Sequence, residues 1–311
     1  MSIQISAIIC TFNREAYLAK AIQSLVDQTL NNDLYEIIVV DNNSTDKTRN
    51  IVTVDFSHIN NLSYIFEPIQ GLSQARNTGW KNAAGEFVAY LDDDAIASPQ
   101  WLENIISAFR TITPQPGVVG GKIEPIWEAP RPFWLSDKLA RSLTIINWSD
   151  QPKFFDDNRE WLAGANIAYP KTLLELTNGF NVNLGRKANN LISCEENLLH
   201  HHLKQQGYRI YYHPEICVQH HIHHSRLVKE WHFKRRYWGG FSSSILEIYI
   251  SKPSILRRWK NAAKIIRKEI IRDVKKLLKL NKTNQEIEVF ELKCFLLSRL
   301  GYIHGLMTFY S

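Results

Sequence analysis

Short apolar runs and polar clusters alternate through the N-terminal third of the chain. Residues 5–10, from Ile5 to Cys10, read as a buried strand, and Thr11, Phe12, Asn13 and Arg14 form a polar turn behind it. Over residues 17–28, Leu18, Ile22, Leu25 and Val26 recur at helical spacing. Residues 35–40 predict a second strand, which ends abruptly in a cluster of helix-capping types between Asp41 and Asp46. A third strand near residues 62–66, a helix over 73–84 and a fourth strand over 87–91 follow, and the fourth runs straight into Asp92, Asp93 and Asp94. Strands alternating with helices predict an α/β fold built on a mixed, mainly parallel sheet flanked by helices. Such sheets bind ligands outside the carboxyl ends of their strands, so the polar clusters after Cys10, Val40 and Leu91 are expected to share one crevice.

The pattern changes twice further on. Residues 114–212 are irregular, with proline and tryptophan interrupting short strands. From Pro253 the chain turns basic: Ile255, Trp259, Ala262, Ile266, Ile270, Val274 and Leu277 recur as a helical stripe among lysines and arginines, and a last amphipathic helix is expected over 286–309. A basic amphipathic helix of this kind can lie on an anionic membrane, or it can pack its stripe onto the rest of the protein and solvate its lysines. The expectation is mixed behaviour, with packing ahead of membrane contact.

Composition narrows the classes. With 44% hydrophobic and 22% charged residues the chain is an ordinary globular one, which argues against extensive disorder. A net charge of +6 suits an anionic partner without choosing among nucleotide, phospholipid and nucleic acid. Cys10, Cys194, Cys217 and Cys294 form no CxxC pair, so a disulfide framework or thiolate zinc site is not expected and a reducing compartment fits. The first residues lack a basic leader pattern, and no apolar run approaches the roughly 20 residues that span a bilayer. The expectation is a cytoplasmic protein whose membrane contact, where it exists, is peripheral, at the inner face of the plasma membrane.

Three adjacent carboxylates at a strand end repel one another unless something positive binds there. A divalent cation shared with substrate phosphates resolves the conflict at Asp92–Asp94; the plainer reading is a solvated turn. Arg76 and Asn77 sit on a helix shortly after Gly71, where a buried arginine can meet a diphosphate, although a surface arginine is the commoner case. Glu195 and Glu196 open a helix. Acidic residues there complement the helix dipole, and one of them facing the crevice would suit a general base. Most of the 11 histidines fall between His200 and His232, too irregularly for a zinc site of their own, yet one can reach a cation held by the aspartates. Trp127, Trp134, Trp148 and Trp161 can stack on sugar rings, but packing is the simpler role.

These stretches together resemble the inverting family 2 glycosyltransferases of bacterial polysaccharide assembly, which have the nucleotide-sugar-binding, Rossmann-like GT-A fold. The resemblance lies in residues 6–14, 37–46, 71–79 and 91–94, then in Gly164 to Asn166, Gly179-Phe180, residues 184–186 and Glu195-Glu196, and it covers about residues 3–245. It implies a catalytic domain over 1–250, with a nucleotide-sugar-binding half (1–113) and an acceptor-binding half (114–250), followed by a helical tail over 251–311. It implies further that Thr11, Asn13, Arg14, Asp41, Arg76, Asn77, Asp92 and Asp93 bind the nucleotide-sugar, commonly a UDP-sugar. Asp92 and Asp94 would form a DxD motif that holds Mn²⁺ or Mg²⁺ with help from His220. Trp161, Gly164 and Asn166 would serve a glycan or lipid-linked glycan acceptor, and Arg235, Arg236, Gly240 and Ser242 a loop closing over the donor. The family's base is the second residue of a Glu-Asp pair; here that position is Glu196, one methylene longer, beside Glu195.

Other classes fit less well. A sugar-nucleotide pyrophosphorylase would want a glycine-rich phosphate loop where residues 11–14 have no glycine, and a non-catalytic nucleotide-binding membrane scaffold would not need both acidic sites. A nucleic-acid binder would line its crevice with the basic residues that gather at the C-terminus instead.

Overall fold

The computed structural model describes residues 2–156, 159–187, 190–280 and 285–309. They form two compact units interleaved along the chain. The first comprises Met1–Ile126, Thr144–Asn183 and Glu195–His221; the second comprises Trp127–Leu143, Leu184–Cys194 and Ile222–Ser311. The long helix that ends at Ser251 belongs to the second unit.

The first unit is built on nine strands: β1 (Ile5–Thr11), β2 (Tyr35–Asp41), β3 (Leu62–Phe66), β4 (Phe87–Asp92), β5 (Ala95–Ala97), β6 (Val118–Trp127), β7 (Lys153–Phe154), β8 (Asn166–Pro170) and β9 (Ile210–Ile222). Their order is β3-β2-β1-β4-β8-β6-β9-β5, with β7 beside β9. Between β1 and β4 run the helices α1 (Glu15–Val26), α2 (Thr48–Asn50, continued by a π-type turn) and α3 (Leu72–Asn82); α4 (Trp101–Thr111) follows β5. Strands β1, β2 and β4 are buried almost throughout, as their near-continuous apolar runs require of strands covered on both faces.

The sheet is mixed, and the expectation of a mainly parallel one needs correction. Parallel pairing joins β3-β2-β1-β4, whereas β4-β8, β6-β8, β5-β9 and β7-β9 are antiparallel. The cause lies partly in connection length. Parallel neighbours need a crossover of about a dozen residues or more, but only Asp93 and Asp94 separate β4 from β5. The chain turns there and hands Ala95 to His220 on β9. Helices α6 (Lys171–Thr177) and α7 (Glu195–Gln205) complete this unit, after the short α5 (Asp137–Ala140) of the other.

The second unit is helical: α8 (Lys229–Ser251), α9 (Ile255–Ile265), a π-type stretch (Ile266–Ile270), α10 (Ile271–Leu280) and α11 (Glu286–Thr308). Helices α8 and α11 approach closely because glycines face backbone: a Cβ on Gly240 would overlap the Ser298 carbonyl, and one on Gly301 the Tyr237 carbonyl. Two expectations fail here for the same reason. Arg235, Arg236, Gly240 and Ser242 lie on a packed helix, not on a loop closing over a donor, and Ser242 Oγ donates to the Trp238 carbonyl while accepting from the Ser193 N–H. The last helix is not one-faced either, since it meets α8 as well as α9 and α10 and buries Phe290, Leu292, Cys294 and Leu306. The basic stripe is divided. Ile255, Trp259, Ile266 and Val274 are exposed, whereas Ala262 is buried and Ile270 and Leu277 are half-buried. Among the described residues no helix is long and apolar enough to cross a membrane.

Replacing Gly301 by valine drives a Cβ and its two methyl groups into the α8 backbone, and overpacking of this kind costs about 1–3 kcal/mol. The urea midpoint of Gly301→Val should fall accordingly; a midpoint equal to that of the parent chain would contradict the close helix approach.

Candidate active site

Register assembles the polar strand ends. In the parallel pairs Thr11 stands opposite Asp41, and Cys10 opposite Asp92. Loops after β1 and β2 then lock together. Asn13, in a left-handed conformation (φ 53°), donates its N–H to Ser44 Oγ at 3.0 Å and accepts from the Thr45 N–H at 2.8 Å. Asp41 is buried and accepts from the Ser44 N–H (2.9 Å) and the Tyr64 hydroxyl (2.8 Å). Asp46 joins the same lock by accepting from the N–H groups of Glu15 (3.1 Å) and Thr48 (3.0 Å).

At the end of β4 the three aspartates separate in role. Antiparallel pairing of β5 with β9 places His220 beside the turn, where its Nε2 lies 3.1 Å from Asp94 Oδ1, and the His221 N–H donates to the Asp94 carbonyl. Ligand atoms of Asp92, Asp94 and His220 all lie within 4.8 Å of one another. Arg14 Nη2 is 3.9 Å from Asp94 Oδ2, and its guanidinium lies over the Tyr17 ring. Burial, followed by the charge of Asp94, pushes the Asp93 carboxyl up from the usual carboxylate range. Two carboxylates and an imidazole with surplus negative charge around them fit a hard divalent cation.

Arg76 is the centre of the arrangement. It is 3% exposed, and its Nη1 meets Glu195 Oε1 at 2.7 Å while Nη2 lies 3.7 Å from Asp92 Oδ1. The rings of Tyr90 and Phe180 flank the guanidinium at 5.8 and 5.4 Å. Gly164 backs onto it so closely that a Cβ there would overlap the guanidinium nitrogens. Burial pushes the neighbouring Cys10 thiol up to about 12, so it stays protonated. Glu195 is thus engaged by Arg76, whereas Glu196 is half-buried. Burial, and next the charge of Glu195, hold the Glu196 carboxyl well above the usual carboxylate range. Its Oε2 has no hydrogen-bond partner among the described residues.

Two expected site residues bond to the framework. Asn77 spends its amide on the turn before Phe180, donating to the Phe180 carbonyl (2.7 Å) and accepting from the Phe180 N–H (2.8 Å) and Trp80 Nε1–H (3.0 Å). Asn166 is fully buried; it donates to the carbonyls of Lys122 and Ile216 and accepts from Trp101 Nε1–H. Both amides thus tie separate segments of the first unit together. Trp161 is half-buried, and its carbonyl accepts from Trp148 Nε1–H. The histidine run splits: His200 is buried against the Tyr169 hydroxyl (3.0 Å), with burial pushing it down to about 3. Sequence reasoning missed Tyr64; its place on β3, opposite Val39 and two residues from the level of Asp41, was the available signal.

Comparison with known proteins follows the same residues. The family described as "Glycosyl transferase family 2" matches residues 6–174. A Haloferax volcanii protein named glucosyl-dolichyl phosphate glucuronosyltransferase is 25% identical, over 98% of this chain and 97% of its own. Among solved structures, the mannosyltransferase PcManGT of Pyrobaculum calidifontis, in complex with GDP-Man and Mn²⁺, matches at a TM-score of 0.61 with 18% identity, over 98% of this chain and 88% of that one. The TarS fragment of S. aureus, in complex with UDP, matches at 0.54 with 18% identity, over 96% and 90%. The fold is shared with these GT-A-like enzymes.

On the reading that Glu196 is the base, its raised carboxyl predicts a pH dependence. A base works only when deprotonated, so the rate should climb with pH through a limb displaced toward neutrality from that of an ordinary glutamate. Glu195→Gln removes the adjacent charge and should move the limb to lower pH; a limb that stays put in the rate–pH profile would separate Glu196 from the titration.

Proposed function

The chain belongs to glycosyl transferase family 2 and is a glycosyltransferase that moves a sugar from a nucleotide-sugar donor; we propose that it does so by a single, inverting displacement assisted by Mn²⁺ or Mg²⁺. The observation behind this reading is the joining of two acidic sites, at the end of β4 and the start of α7, by one buried arginine. The donor is a nucleotide-diphosphate sugar of the UDP type, as in the TarS complex, with GDP as the comparison suggested by PcManGT. The acceptor is the hydroxyl of a glycan or lipid-linked glycan in polysaccharide or cell-envelope assembly, a class to which the dolichyl-phosphate relative points. On this reading the chain works in the cytoplasm, in peripheral contact with the inner face of the membrane.

In this scheme Glu196 takes the proton of the acceptor hydroxyl as its oxygen bonds to the anomeric carbon. The bond from that carbon to the diphosphate oxygen breaks on the opposite face, which inverts the centre. Glu195 holds Arg76, and Arg76 sets the spacing between the base and Asp92. Asp92, Asp94 and His220 would hold the cation, which supplies positive charge against the departing diphosphate. Thr11, Asn13, Arg14, Asp41 and Asp93 border the nucleotide-sugar, and Trp161 with the backbone at Gly164 borders the acceptor.

Thermal unfolding with UDP, GDP and dTDP, each with and without Mn²⁺, tests the donor site. One nucleotide should raise the midpoint only when Mn²⁺ is present, by about 2.7 kcal/mol at a hundred times its Kd, and Asp94→Ala should lose the shift. Glu196→Gln should keep the shift and lose transfer by about 10²–10⁴-fold. A chain that no nucleotide stabilises, or a Glu196→Gln enzyme with near-normal transfer, would sink this mechanism.

A further inference from the structure

We propose that the outward face of the helix formed by α9, the π-type stretch and α10 is a docking surface for an anionic phospholipid bilayer. The proposal deepens, and rests on, the peripheral membrane contact above by assigning it to named residues and to a lipid charge.

The helix runs over residues 255–280, about 39 Å at 1.5 Å per residue. Ile255, Leu256, Trp259, Ile266, Val274 and Leu278 are between 40% and 64% exposed. Large apolar side chains exposed in a continuous row mark an interaction site. The π-type stretch has a part in this continuity: its wider turn brings Ile271, Val274 and Leu278 back to the side of Ile255, Trp259 and Ile266.

Charge then selects the occupant. The acidic residues of this helix, Glu269 and Asp273, both point to α11, where Arg299 pairs with each; Arg299 Nε meets Glu269 Oε2 at 2.8 Å. Arg258 also turns inward, donating to the Phe309 carbonyl at 2.7 Å. Removal of both acids to the inner face leaves the flank of the apolar row to Lys260, Lys264, Lys268, Lys275, Lys276 and Lys279, all exposed. An apolar row with an uncompensated basic flank matches an interface where acyl chains lie beneath anionic headgroups. A second copy fits poorly, because a two-fold contact along this face would set like charges against one another. With no helix among the described residues able to cross a membrane, the attachment lies in the plane of the surface.

The experiment is flotation of the full chain with phosphatidylcholine vesicles and with vesicles that also contain phosphatidylglycerol. The chain should float with the anionic vesicles alone, and less so as salt is raised. Trp259→Glu/Leu278→Glu and Lys275→Glu/Lys276→Glu should each weaken binding about tenfold or more, with unchanged unfolding midpoints and an unchanged UDP-dependent thermal shift. Variants that float like the parent chain would overturn the assignment of the face while leaving membrane contact in place. No binding to either vesicle would overturn the membrane contact as well, whereas the nucleotide shift reports separately on the transferase reading. A dimer dissolved by Trp259→Glu in sedimentation, without vesicle binding, would give the face to a second copy.

Discussion

A guanidinium removed from water next to two carboxylates is the constraint on which the first unit depends. Arg76 has almost no exposed surface, so its charge is tolerable only with Glu195 at 2.7 Å and Asp92 nearby. The converse holds for Glu195, which is buried on a separate segment over a hundred residues away in sequence. Each charge makes the others affordable in a low-dielectric setting. The ion cluster therefore fixes α3, the end of β4 and the start of α7 relative to one another, and these are the elements that bear the two acidic sites.

Function divides the carboxylates by environment. Glu195 is in contact with Arg76, while its neighbour Glu196 lacks that contact and is held above the usual carboxylate range, chiefly by burial. At the other end, Asp94 and His220 are brought together by the antiparallel pairing of β5 with β9. On the proposed reading these two acidic sites serve displacement at an anomeric carbon with a diphosphate leaving group, and their residues come from distant parts of the chain.

Much of this was legible in the sequence because its signals are local. Alternating apolar runs gave β1, β2 and β4 with their helices, and polar residues at strand ends gave Asp41 and the aspartate row. What the sequence concealed depends on pairing between distant segments. The antiparallel half of the sheet could not be read from short, proline-broken strands. The bonds that tie Asn77 and Asn166 to distant backbone are likewise invisible in the sequence. Arg76 read as a donor contact, whereas its nearest partner is Glu195. The apolar stripe of residues 255–280 was visible, but its direction was not, since that depends on Arg299 of another helix drawing Glu269 and Asp273 inward.

The most direct test of this account is a double-mutant cycle in urea unfolding on Arg76→Met, Glu195→Met and the pair combined. Removing one partner of a buried ion pair leaves an unpaired charge and costs about 3–5 kcal/mol, whereas removing both can be nearly neutral. The account predicts two strongly destabilised single variants and a double variant far more stable than their sum. Additive losses, or single variants as stable as the parent chain, would contradict it.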